Sequence, residues 1–259
     1  MITDSYDLSE AIITPGDFYG DKQNICDIAI ATFSREIYSV MIEKYHGEQI
    51  GEFRAANRIR PIHMIHVDGM DLGFYLSEIG ACLAGTDVIE AHWKVGADKF
   101  ILFGSAGSLD KDITSGKYVI PTESYRDEGM SYHYAPPADF IKIRNADRVA
   151  RIFDENGFPY VMGKVWTTDA LYMETRELLK RRKEEGCIAV EMELAGVQAV
   201  CDHYGFELYD FLMTGDVVDQ SNYKPDGLSE ANHSIDKFDV ALAIARDLVR
   251  KCVKGDDSD

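Results

Sequence analysis

The sequence is short of positive charge. Its 259 residues hold 27 Lys and Arg against 45 Asp and Glu, a formal net charge of −18. So acidic a surface repels a phosphate backbone, which argues against nucleic-acid binding, whereas a small anionic ligand needs only a local cationic pocket. Long apolar runs are missing as well, and none approaches the ~20 residues of a membrane span. The opening stretch Met1-Ile2-Thr3-Asp4-Ser5-Tyr6-Asp7 carries acids and no basic segment. A secretory signal is therefore not expected, and the expected location is the cytoplasm. Cysteine is sparse, with five residues and no close pairs, which favours reduced thiols over a disulfide framework. His63 and His66 have no cysteine or acid partners at ligand spacing, so no metal site is expected.

What remains is ordinary globular material, 46% apolar and 28% charged, which excludes wholesale disorder and a collagen-like chain. The length suits one domain over residues 1–259, with residues 1–25 as a peripheral N-terminal segment and 255–259 as a flexible acidic tail. Strand-like apolar runs alternate with amphipathic segments. Residues 28–33, 62–67, 100–103, 117–120, 161–166 and 208–213 read as strands; residues 34–45, 83–95, 174–185, 188–203 and 235–253 read as helices. That alternation predicts an α/β fold, a single domain with a mixed central sheet covered by helices. Arg181-Arg182-Lys183-Glu184-Glu185 reads as a solvated helix face.

Three local patterns stand out. Gly104-Ser105-Ala106-Gly107 follows the apolar run Phe100-Ile101-Leu102-Phe103, and its glycines let a turn bring backbone N–H groups close to an anion. No Gly-Lys-Ser/Thr follows it and the full G-x-G-x-x-G is absent, so neither a P-loop nor a dinucleotide fingerprint is present. Val190-Glu191-Met192-Glu193 embeds two carboxylates among apolar residues, where each needs a partner or a ligand. A helix-capping role would satisfy one of them but hardly both. Met213-Thr214-Gly215-Asp216 places an acid just past an apolar strand, where open α/β sheets hold ligands.

In this order, with Arg126-Asp127-Glu128-Gly129, Ser131 and His133 between the first and second, these motifs resemble the nucleoside phosphorylase family. That family holds the hexameric purine and uridine enzymes, and its superfamily also holds the methylthioadenosine/S-adenosylhomocysteine nucleosidases. The resemblance covers residues 28–253 and implies cleavage of an N-glycosidic bond. Carried over residue by residue, it implicates Glu193 as acceptor for the ribose 2′ and 3′ hydroxyls, with Met192 on the sugar's apolar face and Glu191 beside them. Gly104 and Ser105 would contact phosphate. Thr168, Leu171 and Tyr172 would contact the base. Asp216 would hydrogen-bond purine N7 and protonate the base as it leaves. Arg35, directly after the first strand, would hold phosphate, a task suited to a guanidinium, which cannot act as a general base.

The resemblance has gaps. Leu102 stands where many phosphorylases carry a second phosphate arginine, and Arg54, Arg58, Arg60 or Arg126 are candidates to supply that charge. No histidine precedes Arg35, and Thr175 and Glu177 replace the glutamine–arginine pair that reads uracil. The expected activity is phosphorolysis of a purine-preferred ribonucleoside to free base and ribose 1-phosphate. The alternatives are a hydrolytic nucleosidase, a uridine phosphorylase or a non-catalytic nucleoside-binding member. No cofactor is implied beyond inorganic phosphate as co-substrate. The implied partners are nucleoside, phosphate and further copies of the chain, as a dimer or a hexamer built as a trimer of dimers, with an active site that can lie between subunits.

Overall fold

Apolar alternation along the strands decides which helices cover which face of the sheet. The computed structural model describes residues 2–218 and 223–255. The tail assigned to residues 255–259 lies outside these apart from Gly255. After a short 3-10 turn the elements run α1 (Pro15–Tyr19), β1 (Ile28–Thr32), α2 (Arg35–Lys44), β2 (Glu48–Ala55), β3 (Arg58–Val67), β4 (Met70–Leu76) and α3 (Ala81–Val95). Next come β5 (Lys99–Ser108), α4 (Lys111–Thr114), β6 (Tyr118–Asp127), α5 (Ser131–Tyr134), β7 (Phe140–Lys142), α6 (Ala146–Asn156) and β8 (Tyr160–Thr168). The chain continues through α7 (Arg176–Glu184), β9 (Cys187–Glu191), α8 (Leu194–Tyr204), β10 (Glu207–Val218), β11 (Tyr223–Lys224), α9 (Leu228–His233) and α10 (Asp236–Gly255).

All the strands join one mixed sheet, ordered β11-β10-β6-β8-β9-β5-β1-β4-β3-β2, with β7 beside β6. An additional β10–β5 pairing closes β5, β10, β6, β8 and β9 into a ring. Successive side chains of a strand point to opposite faces. Ile28 and Ile30 of β1 therefore join Ile101, Phe211, Ile37 of α2, Phe153 of α6 and Phe238 of α10 in one core. Ala29 and Ala31 join Phe100, Leu102, Val88 of α3 and Val197 of α8 in the other. Leu102, at the position of the second phosphate arginine, is thus packed into the core.

Helix ends follow the local chemistry. Ser34 caps α2, its hydroxyl accepting from the Ile37 N–H at 3.2 Å, and Gly96 takes the left-handed conformation (φ 93°) that ends α3. The N-terminal segment packs on α3. The Trp93 indole N–H donates to the Gly20 carbonyl at 2.8 Å, and the Tyr19 hydroxyl donates to Glu90 at 2.8 Å.

Several expectations need correction. Gly104-Ser105-Ala106-Gly107 is not a turn: it continues β5, with Ser105 opposite Met213 of β10 and Gly107 opposite Val190 of β9. Residues 187–191 form a strand, and helix α8 starts only at Leu194. Asp216 lies within β10, not beyond it. Of the charged run 181–185, Arg182 is buried, its guanidinium 3.2 Å from the centre of the Tyr125 ring and paired with Glu185.

Candidate active site

One cavity of about 710 Å³ opens over the C-terminal parts of β1, β5, β9 and β10. That is the size range of small-molecule sites. Its wall includes Gly104, Ser105, Leu171, Tyr172, Glu191, Met192, Glu193 and Asp216, eight of the residues singled out in the sequence. Two others are not on the wall. Arg35 is exposed on the first turn of α2, although its neighbour Ser34 lines the cavity. Thr168 is buried at the end of β8, its hydroxyl accepting from the Ala170 N–H at 3.2 Å. Leu171 and Tyr172 stand at the cavity mouth, the latter 96% exposed.

The two glutamates of the Val-Glu-Met-Glu element have separate surroundings. Glu191 is consumed by the protein. One of its carboxylate oxygens accepts from the backbone N–H groups of Glu193 and Leu194, both at 2.7 Å, and the other from the Thr167 hydroxyl. Thr167 in turn accepts from the Ala195 N–H at 3.0 Å, so this carboxylate ties β8 to the start of α8. The capping role therefore falls to Glu191.

Glu193, 8% exposed, accepts at Oε1 from the Gly80 N–H at 2.7 Å, and the Met192 N–H also favours its charged form. Among the described residues no side chain donates to it and no cation pairs with it. Burial and the nearby Glu191 charge push the Glu193 carboxyl well above the usual range. A carboxylate buried in a cavity wall with backbone donors alone has acceptor capacity left for a ligand.

Asp216 sits where the β10–β5 register shifts between Thr214 and Val217, a bulge that re-aims the side chain into the cavity. Gly215, within the bulge, lets α9 pack close: a Cβ there would meet the Ala231 Cβ at 2.7 Å and the Leu228 Cα at 2.8 Å. Tyr223, also on the cavity wall, has its hydroxyl pushed up by burial and by the Asp216 charge.

Among the cavity residues that the sequence did not point to, two are charged and deeply placed. Glu174 lies beside Asp216, and burial together with that charge raises its carboxyl to about 7. Its pattern signal was only that of a helix start, and the neighbour that matters is far away in the chain. Lys237, 1% exposed, lines the cavity from the first turn of α10. Its charge interrupts an apolar stripe, and that interruption was the available signal.

The remaining candidate arginines are occupied elsewhere. Arg54 pairs with Glu52, Arg58 with Glu78, and Arg60 with Asp87 and Glu78. Arg126 donates to the Ser131 hydroxyl at 2.7 Å and to the Pro136 carbonyl at 2.6 Å, with its guanidinium 4.2 Å from the Tyr132 ring centre. None of them lines the cavity. Among the described residues, no group of three or more His, Cys, Asp and Glu is arranged to hold a metal ion. No helix among them is long and apolar enough to cross a membrane.

The family description of the phosphorylase superfamily matches residues 27–254. The chain belongs to the phosphorylase superfamily. Among sequence relatives, purine nucleoside phosphorylases of the DeoD type from Bacillus thuringiensis (strain Al Hakam) and Bacillus mycoides (strain KBAB4) are each 27% identical over 126 residues. Those residues are 48% of this chain and 54% of each relative, so the chain spans about half the length of the curated relatives it matches. Solved structures that share this fold include the following three. Futalosine hydrolase of Helicobacter pylori strain 26695 is 18% identical with a TM-score of 0.65, over 84% of this chain and 97% of that one. The methylthioadenosine/S-adenosylhomocysteine nucleosidase of Helicobacter pylori is 19% identical with a TM-score of 0.66, over 85% and 99%. AMP nucleosidase from Bacteroides thetaiotaomicron is 16% identical with a TM-score of 0.68, over 89% and 91%. In this superfamily setting, the ring of strands brings Glu193 and Asp216 to one cavity from elements far apart in sequence.

Proposed function

We propose that this phosphorylase-superfamily chain cleaves the N-glycosidic bond of purine ribonucleosides, with inorganic phosphate as acceptor. The observation that carries the reading is Glu193, buried without a side-chain donor, sharing one cavity with Asp216. Glu193 accepts from the ribose hydroxyls while Met192 covers the sugar. The C1′–N9 bond breaks with its electron pair going to the base, and Asp216 delivers a proton to N7. A phosphate oxygen forms the new bond to C1′, giving ribose 1-phosphate. Glu174, whose carboxyl burial and the Asp216 charge raise to about 7, stands on the same cavity wall as a second acid. The Gly104–Ser105 end of the cavity contributes polar donors to phosphate; among the described residues no lining carboxylate is hydrogen-bonded to the Ser34, Ser105, Asn232 and His233 group to act as base for water.

One observation favours hydrolysis as the second reading. Among the described residues no arginine lines the cavity, whereas the resemblance led us to expect a phosphate arginine at Arg35.

The catalytic assignment is tested with inosine and uridine. Glu193→Ala should abolish detectable turnover with the fold retained, each lost charge-assisted hydrogen bond being worth roughly 1.5–3 kcal/mol. Asp216→Asn should slow inosine cleavage about tenfold or more, the low end of the general-acid range. The wild type should cleave inosine faster than uridine. Unchanged kcat/KM in both variants would remove these residues from the reaction.

A further inference from the structure

With the arginines accounted for, positive charge in the cavity comes from the chain's last helix. Lys237 reaches in from α10, and its ammonium donates to the carbonyls of Ala231 and of Asn232, the latter at 3.3 Å. An ammonium has three donors, so one is left over. Among the described residues no carboxylate pairs with Lys237, and its aromatic contact is the Phe103 ring, 5.8 Å from the centre. Burial alone pushes its ammonium down to about 8. A buried cation without a counter-charge is costly unless a ligand supplies one.

The neighbours are polar. The Asn232 side-chain oxygen accepts from the Ser105 hydroxyl, and the amide nitrogen has no partner among the described residues. His233 Nδ1 and the Ser34 hydroxyl are hydrogen-bonded at 2.8 Å. All five residues line the cavity. The carboxylate paired with His233 is that of the exposed Glu36, at 3.8 Å and off the cavity wall.

We infer that Lys237, with Asn232, His233, Ser34 and Ser105, forms a subsite for a phosphoryl dianion, so that the charge for the acceptor comes from α10 rather than from β5 or the turn after β1. This rests on the reading above, because in that reading the dianion is the inorganic phosphate that attacks C1′. The same chemistry would also hold the 5′-phosphoryl group of a nucleotide. A lysine that merely clamps the carbonyl end of α9 is the structural alternative.

Calorimetric titration separates these readings without relying on turnover. Inorganic phosphate and a nucleoside 5′-monophosphate are each titrated into the wild type, Lys237→Met and Asn232→Asp. Lys237→Met keeps the length of the side chain and removes its charge. Asn232→Asp keeps an acceptor for Ser105 and puts a carboxylate beside Lys237. Both should weaken dianion binding about tenfold or more. If Lys237→Met does not fold, Asn232→Asp alone decides. Phosphate affinity within about twofold of wild type in the folded variants, with a lowered Tm for Lys237→Met, would overturn the proposal in favour of a clamp. So would a wild type that binds neither ligand. Tighter binding of inorganic phosphate assigns the subsite to the acceptor. Tighter, Lys237-dependent binding of the monophosphate keeps the subsite and assigns it to a 5′-phosphoryl group. Base release independent of phosphate, alongside Lys237-dependent phosphate binding, would reject phosphorolysis while leaving the subsite standing.

Discussion

Glu174 and Asp216 show how one residue's environment sets both stability and chemistry. The Glu174 carboxyl, ordinarily near 4.5, is held at about 7 by burial and by the charge of Asp216. Its charged form is thus disfavoured in the fold relative to the unfolded chain. Below pH 4.5 the group is protonated in both states and costs nothing; as pH rises through 7 the penalty grows to its full value. Glu174→Gln should therefore raise Tm at about pH 8, and the gain should vanish by about pH 4. Thermal unfolding of both proteins at the two pH values measures this, and an equal difference at both would mean that titration is not the cause. Glu174 was hidden in the sequence because its shift comes from burial and from a residue brought near only by folding. Glu193 was legible because a second carboxylate two positions away exceeded what one helix start can satisfy. Lys237 was passed over because the apolar periodicity that marks 235–253 as a helix does not show what a buried cation faces.

At the scale of elements, apolar runs located several buried strands, β1 and β8 most closely, but missed the buried β4, whose run Asp71 and Gly73 interrupt. They failed where strands are half-exposed: β2 is largely exposed and gave no apolar run. They also failed at 187–191, where a short buried strand flows into α8 and one continuous apolar stretch reads as a single helix. The glycines of β5 suggested a turn because glycine permits one. Here they let β9, β10 and Phe33 come close instead, as at Gly107, where a Cβ would lie 2.8 Å from Val218 Cγ2. The packing of α9 on β10 depends in the same way on Gly215. A methyl at that position meets Ala231, the Leu228 backbone and the Gly227 carbonyl, all within 2.9 Å. Gly215→Ala should push α9 outward together with Asn232 and His233. The expected cost is about 1–3 kcal/mol, as for other overpacking changes. Calorimetry should show a lower Tm and weakened phosphate binding together; an unchanged Tm would mean that α9 is free to shift.

The whole molecule combines a strongly negative chain with a cavity that holds a single buried lysine among its described lining residues. At net charge −18 the outer field does not attract anions, so on our proposal selection of a dianion is local, in a low-dielectric pocket where a hydrogen-bonded charge counts most. The closed ring of β5, β10, β6, β8 and β9 makes this possible by joining segments distant in sequence around one cavity: Ser105 from β5, Glu193 after β9, Asp216 from β10 and Lys237 from α10. The superfamily fold supplies this frame for more than one acceptor, so the acceptor itself is the decisive quantity. Incubating the wild-type protein with inosine, with and without inorganic phosphate, and quantifying hypoxanthine, ribose 1-phosphate and free ribose measures it. Our account predicts hypoxanthine and ribose 1-phosphate in equal amounts, and only when phosphate is present. Hypoxanthine released at the same rate without phosphate, accompanied by free ribose, would contradict it.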